Sequence, residues 1–425
     1  MLTGDAARQH DHTADDAAQV TPAAADVAAQ VVRVERSRIL ATLIRVTGNV
    51  DLAEDATQDA VLRALQTWPR DGVPDNPRGW LLAVARRRAV DVIRREARRA
   101  GKEAEAVALF DPAPDSPEAV RDDLLRLVFT CCHPALSLDA QVALALRTLG
   151  GLATAEVARA LVVPEATMAK RLTRAKQKIS RAGIPYRIPA AEELPDRLAG
   201  VAATVYLIFN EGYAAGTGDD LVRVGLADEG LRLARLLVEL MPDEPTVLGL
   251  LALLLLQDSR RLARVDDDGR PLLLAEQDRS RWDRAAITTG VALVGRALRR
   301  TPDNPDRYVV QAAIAACHAL APSYEQTPWD AVISWYDVLL TVHDTPVVRL
   351  NRAAAVAERD GPAAGLALVD AIGGLAGYPW LHATRGELLH RLGRADEAAT
   401  AYRAALALDL NGPQAARLRD RLAEC

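Results

Sequence analysis

The second half of the chain repeats one local pattern: an Ala/Leu-rich helical segment, a short turn that contains proline, and another such segment. From about residue 199 onward the turns end at Pro245, Pro305, Pro346 and Pro413. Proline is tolerated at the first position of a helix because the N–H that it lacks has no partner there. The spacing of these prolines is irregular, yet the pattern predicts a stacked array of helical hairpins over residues 186–425.

One segment of this array matches a known helical repeat closely. Within residues 381–410, small and apolar residues fall at the spacing of a tetratricopeptide unit, at Gly386, Leu389, Gly393, Ala398, Tyr402 and Ala405. The tryptophan and the terminal proline that are usual in that unit are replaced by His382 and Leu410. The match is therefore partial, and Asp360-Gly361 suggests a second, poorer copy.

Length and composition extend the helical prediction to the whole chain. The 425 residues exceed what one hydrophobic core usually supports, and 50% of them are hydrophobic although only 4% are aromatic. This balance is typical of Ala/Leu-rich helical proteins, so we expect an all-α fold with several domains. The predicted parts are a disordered extension (1–28), a helical domain (29–100), an acidic linker (101–119), a second helical unit (120–185) and the array (186–425).

Charge is distributed unevenly along the chain. The formal net charge is -5, which excludes a protein that is basic throughout. Residues 78–102, however, hold nine basic residues against Asp91 and Glu96. Such a segment either binds a polyanion or forms a solvated surface.

The cysteines do not indicate a metal site. Cys131, Cys132, Cys317 and Cys425 show no metal-ligand spacing, and we predict that Cys131-Cys132-His133 is buried packing. No cofactor is expected. The thiols and the absence of an apolar leader in residues 1–30 predict a cytoplasmic protein. The apolar run 247–256 is too short to span a bilayer, so we predict a buried helix.

Residues 154–181 have the pattern of a helix-turn-helix. Thr154 is the predicted cap of the first helix, the turn lies at 162–164, and Val162 stands where a small residue is usual. On the second helix one side is apolar and the other is basic. The apolar positions are Met168, Leu172, Ala175 and Ile179, and the basic ones are Lys170, Arg171, Arg174, Lys176, Lys178 and Arg181. A recognition helix in a DNA major groove has this composition, although a solvated charged helix has it too.

Two further segments carry candidate binding residues. In residues 76–99, arginines accompany Trp80 and an apolar stripe of Leu81, Val84, Val90 and Ile93, which suits contact with a nucleic-acid backbone and stacking on exposed bases. The alternative is a core tryptophan with a solvated arginine face. Residues 51–59 are predicted to expose Glu54, Asp55, Gln58 and Asp59 on one helix. This face suits docking of a partner better than acid/base catalysis.

In their order along the chain, the three motifs resemble a known family. AEDATQDAVLRAL, NPRGWLLAVARRRAVDVIRRE, an acidic linker and TAEVARALVVPEATMAKRLTRAKQKI are similar to the extracytoplasmic-function sigma factors of the sigma-70 family. Segments such as FTCCHPAL and YLIFNEGY resemble the subgroup with a C-terminal tetratricopeptide-like extension. The resemblance covers residues 30–425 and implies a non-enzymatic subunit that binds core RNA polymerase and promoter DNA.

The resemblance also implies roles for individual residues. The face that docks to the clamp of the largest polymerase subunit would be Asp55, Gln58, Asp59 and Leu62. The residues facing the −10 element would be Trp80, Arg86, Arg87, Arg88 and Asp91. Those entering the major groove of the −35 element would be Glu165, Thr167, Lys170, Arg171 and Arg174. Many family members have Asn where this chain has Arg87, so base preference at −10 does not transfer.

Other functions are open at this point. A stand-alone helix-turn-helix regulator with the array as its sensor is the main alternative, although it needs only one DNA-binding unit. An enzyme is disfavoured because phosphate loops and nucleophile motifs are lacking, and Asn210-Glu211-Gly212-Tyr213 fits a buried polar turn. The array is expected to regulate activity, with a protein or a ligand bound to it. Its carboxylates, such as Asp219, Asp220, Asp228, Glu229 and Asp266 to Asp268, are candidates for masking the basic helices.

Overall fold

The computed structural model describes residues 22–100, 117–161, 163–213, 224–266, 271–408, 410 and 412–425. Regular secondary structure in these residues is helical, and the extended pairing among them is an isolated bridge between Val265 and Pro271. The all-α prediction is therefore confirmed. Across the described residues, no helix is both long enough and apolar enough to cross a membrane. The chain divides into two compact units, Met1–Leu127 and Val128–Cys425.

The first unit is built on three long helices. They are α1 (Pro22–Thr47), α2 (Val50–Asp71) and α3 (Pro77–Ala100), and α4 (Pro117–Cys131) begins in the same unit. The side chain of Asn49 caps α2 by accepting from the amide of Leu52 at 3.1 Å, and Asn76 caps α3 by accepting from Gly79 at 2.9 Å. Fully buried residues such as Leu40, Leu43 and Leu81 form the core.

A buried ion pair ties α4 to α1. The Asp123 carboxylate is buried and accepts two hydrogen bonds from Nε of Arg45, at 2.9 and 3.0 Å, and one from Arg126 at 2.7 Å. A carboxylate taken out of water is stable only when it is paired in this way. Asp123 therefore fixes the start of α4 against α1.

Helix boundaries in this unit differ from the predicted ones. Helix α1 begins at Pro22, inside the segment 1–28 that was predicted to be disordered, and α4 begins at Pro117, inside the predicted linker 101–119. Residues 1–21 and 101–116 lie outside the described residues. Helix α2 contains Pro69 and continues to Asp71. A proline is tolerated here because the carbonyl that loses its partner lies in the last turns of the helix, on an exposed side.

The second unit contains the remaining helices. They are α5 (Leu138–Thr148), α6 (Thr154–Ala160), α7 (Glu165–Arg181), α8 (Leu194–Tyr213), α9 (Val224–Leu240), α10 (Pro245–Asp258), α11 (Arg284–Arg300), α12 (Arg307–Leu320), α13 (Trp329–Val342), α14 (Pro346–Asp360), α15 (Pro362–Asp370), α16 (Pro379–Arg391), α17 (Ala395–Leu406) and α18 (Gly412–Ala423). From α8 onward each helix packs on the next. Residues 247–256 are all buried in α10, as predicted.

Close approach between helices explains the small residues of the array. A Cβ at Gly386 of α16 would lie 2.8 Å from Cε1 of Tyr402 on α17. Leu389, Ala398, Tyr402 and Ala405 are buried around this crossing. Positions 386–405 thus form a tight helix pair, which the spacing in the sequence had indicated.

Proline begins a helix at only two of the four turns. Pro245 and Pro346 are the first residues of α10 and α14, as predicted. Pro305 instead precedes Asp306, whose carboxylate accepts from the amide of Tyr308 at 2.8 Å and caps α12. Pro413 is the second residue of α18. An aspartate cap placed after Pro305 moves the start of α12 beyond the proline.

Candidate nucleic-acid interface

The helix-turn-helix is formed by α6 and α7. The predicted cap Thr154 is instead the first helical residue, because the amide of Ala153 donates to the Glu156 carboxylate at 2.6 Å and this bond closes the helix start. Val162 lies outside the described residues. The turn closes through the amide of Val163, which donates to the carbonyl of Ala158 at 2.9 Å.

The recognition helix α7 has one buried side and one basic side. Met168, Leu172, Ala175 and Ile179 are buried, which confirms the predicted apolar periodicity. Glu165, Thr167, Lys170 and Arg174 are exposed. The array, which lies in the same compact unit as α7, therefore leaves this side of the helix uncovered.

Arg171 is the exception among the candidate DNA contacts of α7. Its side chain is partly buried, and its guanidinium lies 3.8 Å from the carboxylate of Asp139 at the start of α5. Asp139 is 76% exposed, so the attraction is weak and contributes well under ~1 kcal/mol. This weak ion pair therefore leaves the Arg171 side chain free to reorient toward DNA.

In the first unit, α3 presents the second basic surface. Arg87, Arg88 and Asp91 are exposed, whereas Trp80 and Arg86 are half-buried. The Trp80 ring meets the buried Trp68 ring edge-on, with centroids 5.4 Å apart. Packing therefore fixes one side of Trp80 and leaves its other side partly accessible.

The buried stripe of α3 differs from the predicted one. Leu81, Leu82, Ala85 and Ala89 are buried, whereas Val84, Val90 and Ile93 are only partly buried. The alanines allow α3 to approach its neighbours closely, and so they take the core positions that the larger residues were expected to fill.

Helix α2 carries an exposed face of mixed character. Asp55, Gln58 and Asp59 are exposed, and the same face continues into Leu62 and Leu65, which are 49% and 40% exposed. Exposed leucines beside carboxylates on one helix suit a protein interface better than a catalytic pocket. Leu65 was not among the predicted docking residues, although it lies three positions after Leu62 on the same helix.

The prediction that Glu54 is exposed is wrong, because the helical turn directs its side chain inward, where it is 7% exposed. Asp59 and Arg88 form an ion pair, with Oδ2 and Nε 2.5 Å apart. The two residues had been assigned to different surfaces. The pair joins the acidic face of α2 to the basic face of α3.

The cysteine-histidine segment is structural. Cys131 and Cys132 are buried, as predicted, and burial raises the pKa of the Cys132 thiol to about 12. Burial, together with the positive charge of Arg197, lowers the pKa of His133. Across the described residues no three His, Cys, Asp or Glu side chains group as metal ligands.

Two predictions for the array need correction. Asn210 to Tyr213 are not a turn but the last turn of α8, where a Cβ at Gly212 would lie 2.1 Å from the amide nitrogen of Ala227. Of the proposed masking carboxylates, Asp228 pairs with Arg261 at 2.7 Å and buried Glu229 pairs with Arg232 at 2.7 Å. Both carboxylates are therefore held by arginines of the array, although Asp228 shares Arg261 with Asp258. Asp266 is partly buried, and Asp219, Asp220, Asp267 and Asp268 lie outside the described residues.

Comparison with known proteins identifies the two DNA-binding units. Residues 31–99 match sigma-70 region 2, and residues 126–179 match sigma-70 region 4. The ECF RNA polymerase sigma factor SigK of Mycobacterium tuberculosis (strain ATCC 25618 / H37Rv) is 33% identical over 146 residues, which cover 32% of this chain and 75% of SigK. This chain belongs to the sigma-70 family.

Other matches extend over the rest of this sigma factor. Residues 197–298 match DUF6596, a family of unknown function. Protein R00370 of Rhizobium meliloti (strain 1021) is 45% identical over 395 residues, covering 91% of this chain and 93% of the relative. A probable RNA polymerase sigma-C factor of Mycobacterium bovis is 32% identical over 154 residues, 36% of this chain and 76% of that protein. As a sigma factor, the chain is a DNA-binding initiation factor that works with core RNA polymerase.

In this sigma factor, region 4 and the array share one compact unit. The Arg197 guanidinium donates to the carbonyl of Phe129 at 2.6 Å, and the Thr204 hydroxyl donates to Oε1 of Gln141 at 3.1 Å. Arg232 donates to the carbonyl of Leu149 at 2.7 Å. A Cβ at Gly150 would lie 2.8 Å from the Glu229 carboxylate, so this turn is packed tightly against α9.

Proposed function

We propose that this sigma factor is of the extracytoplasmic-function type and carries a tetratricopeptide-like C-terminal extension. It directs core polymerase to promoters by recognising the −10 element with α3 and the −35 element with α7. The observation that carries the proposal is the basic side of α7, which is exposed in the intact chain above a buried apolar side. An exposed basic helix in region 4 is suited to a major groove.

The residues have separate roles in this proposal. On α7, Lys170 and Arg174 contact the −35 DNA together with Glu165, Thr167 and Arg171. On α3, Arg87 and Arg88 follow the −10 backbone with Arg86 and Asp91, and Trp80 offers its accessible side to an unstacked base. The exposed face of α2, which is Asp55, Gln58, Asp59 and Leu62 with Leu65 added, docks to the polymerase clamp.

The array regulates activity by supporting region 4. Its bonds from Arg197, Thr204 and Arg232 reach α4, α5 and the turn after α5, while the DNA side of α7 stays exposed. Support is favoured over masking because the carboxylates Asp228 and Glu229 are paired within the array. A chain truncated after residue 190 should therefore lose region 4 stability and promoter-dependent activity.

Core binding tests the docking face directly. Asp55→Arg combined with Leu62→Ala should weaken capture of the full chain by purified core polymerase, because both side chains are exposed and their loss leaves the core of the unit intact. Asp59 is left unchanged because it holds Arg88. Asp303→Arg, an exposed charge reversal in the array, is the matched control. Equal capture of both variants would remove the docking assignment.

A further inference from the structure

A cavity of about 760 Å³ opens within the helical array. Its walls come from α8, α10, α12, α13 and α14, all in the second unit. Ligand-binding cavities for small organic molecules have volumes of ~300–1,000 Å³. The sigma function described above uses none of the residues that line this cavity.

The charged side chains that line the cavity are cationic. They are Arg260 and Arg307, accompanied by His318 and His343, and none of the described residues that line the cavity is a carboxylate. A second cavity near the C-terminus, of about 810 Å³, also holds arginines. Three of its four arginines, Arg391, Arg417 and Arg421, are each paired with a glutamate, at 2.5, 2.9 and 2.6 Å, and the fourth, Arg264, lies over the Tyr213 ring.

The partners of the two cavity arginines are neutral. Arg260 donates to the amide oxygen of Gln257 at 2.5 Å and to the hydroxyl of Tyr213 at 3.1 Å, and Arg307 donates to the hydroxyl of Tyr308 at 3.1 Å. These bonds orient the guanidinium groups without neutralising them. Asp306 is adjacent to Arg307 in sequence, but its carboxylate caps α12.

His318 contributes a buried polar atom to the wall of the cavity. Its Nδ1 atom is buried and has no hydrogen-bond partner within the described residues. Burial, and then the charges of Arg260 and Arg279, lower the pKa of His318 to about 4. The imidazole is therefore neutral at pH 7 and leaves a polar atom available beside two cations.

Aromatic rings complete the walls. Tyr206 and Tyr308 lie with their ring centroids 5.7 Å apart and tilted by 50°, and Tyr336 lines the same space. Burial raises the pKa of both Tyr308 and Tyr336 to about 12, so these tyrosines carry no negative charge that would repel an anion. Their rings offer flat apolar surface to a planar group.

We propose that this cavity binds a small organic anion that combines a planar ring with a carboxylate or phosphate group. Arg260 and Arg307 hold the anionic group, since guanidinium forks match both oxyanions, and the tyrosine rings contact the ring. Binding of this anion does not depend on promoter recognition. Only its consequence, a ligand-dependent change in sigma activity, rests on the proposed regulatory role of the array.

Calorimetry with the full chain tests the site. The probes are salicylate and 4-hydroxybenzoate as carboxylates, phenyl phosphate and AMP as phosphates, and salicylamide as the uncharged match of salicylate. At least one anion should bind with a Kd below about 1 mM, and salicylamide should bind at least about tenfold more weakly. The anion that binds best separates a carboxylate ligand from a phosphate ligand.

Substitutions place the binding in this cavity. Arg307→Gln should weaken binding about tenfold or more, because it removes a charged hydrogen-bond donor. Arg391→Gln, in the second cavity, is the matched control and should leave the affinity unchanged. Arg260 also bonds to Tyr213 and Gln257, so its variant is informative only where circular dichroism shows a native fold.

A second measurement does not depend on any variant. The bound anion should raise the pKa of His318 from about 4, because a nearby negative charge favours the imidazolium form, and NMR titration of the ring protons records the change. The proposal is overturned if none of the four anions binds below about 1 mM. It is also overturned if salicylamide binds as well as salicylate, or if Arg307→Gln and Arg391→Gln bind equally. Polymerase is absent from these assays, so such a failure is distinct from failure of the sigma function.

Discussion

Arg232 is the residue through which support of region 4 by the array is best tested. Its guanidinium donates to the carbonyl of Leu149 at 2.7 Å and pairs with Glu229, whose side chain is only 6% exposed. Arg232→Ala leaves that buried carboxylate without its partner, which costs ~3–5 kcal/mol when both groups are fully buried. The Arg232 side chain is 28% exposed, so water offsets part of the loss. We expect local destabilisation of about 3 kcal/mol, including ~1 kcal/mol for the Leu149 hydrogen bond.

Amide hydrogen exchange measures this loss where it occurs. A chain of two units need not unfold in one step, so the exchange of residues 146–152 reports the local opening better than a global unfolding curve. Protection there should fall on the order of a hundredfold in Arg232→Ala. Adding Glu229→Gln should restore part of it, because the unpaired charge is then removed.

The control is Arg296→Ala on α11. Arg296 pairs with the exposed carboxylate of Asp243 at 3.3 Å, so its loss should cost less than ~1 kcal/mol and leave residues 146–152 unchanged. If Arg232→Ala exchanged like Arg296→Ala in that segment, the array would not support region 4 through this contact, and the reasoning would be wrong.

Three further predictions concern DNA binding, thiol reactivity and pH. Replacing both Lys170 and Arg174 with alanine should weaken promoter binding and reduce the slope of log K against log salt by ~2, measured by fluorescence anisotropy; an unchanged slope would show that neither contacts phosphate. Cys425, which is exposed, should react with a thiol reagent at pH 8 long before Cys132, whose pKa burial raises to about 12; equal rates would contradict the packing around Cys132. Because the pKa of His318 is lowered from 6.5 to about 4, the folded state disfavours its protonation. The free energy of unfolding should therefore be unaffected by the titration of His318 above pH 6.5 and should fall by up to ~3 kcal/mol as the pH drops to 4. In urea unfolding, His318→Gln should lose less stability than the wild-type chain over this pH range. Equal losses in the two chains would refute the assignment.

The sequence predicted the features that depend on periodicity. The buried side of α7 returns every three or four residues from Met168 to Ile179, and a helix imposes that spacing directly. The crossing of α16 and α17 was marked by Gly386 and Tyr402, since only a small residue fits beneath the ring. The exposure of Asp55, Gln58 and Asp59 on α2 was predicted for the same reason, whereas Glu54, predicted to be exposed, is buried.

Features that depend on distant packing were not predicted. Asp228 and Glu229 pair with arginines of the array rather than attracting the DNA-binding helices. No periodicity in the sequence marks Arg232 as the partner of the Leu149 carbonyl, because the two residues are 83 positions apart. Nor does the sequence show that Glu358 and Glu387 line the second cavity, whereas no carboxylate is among the described residues that line the cavity at Arg260 and Arg307.

Start-site mapping tests the central claim most directly. The full chain is added to purified core polymerase on genomic DNA, and the 5′ ends of the transcripts are sequenced. A sigma factor with a region 2 and a region 4 should produce new start sites preceded by two shared sequence elements at a fixed separation. The sites should be lost with Lys170→Ala and Arg174→Ala combined. If core polymerase gained no start sites, or if the chain changed initiation only when another sigma factor was supplied, the chain would be a regulator and the account would be contradicted.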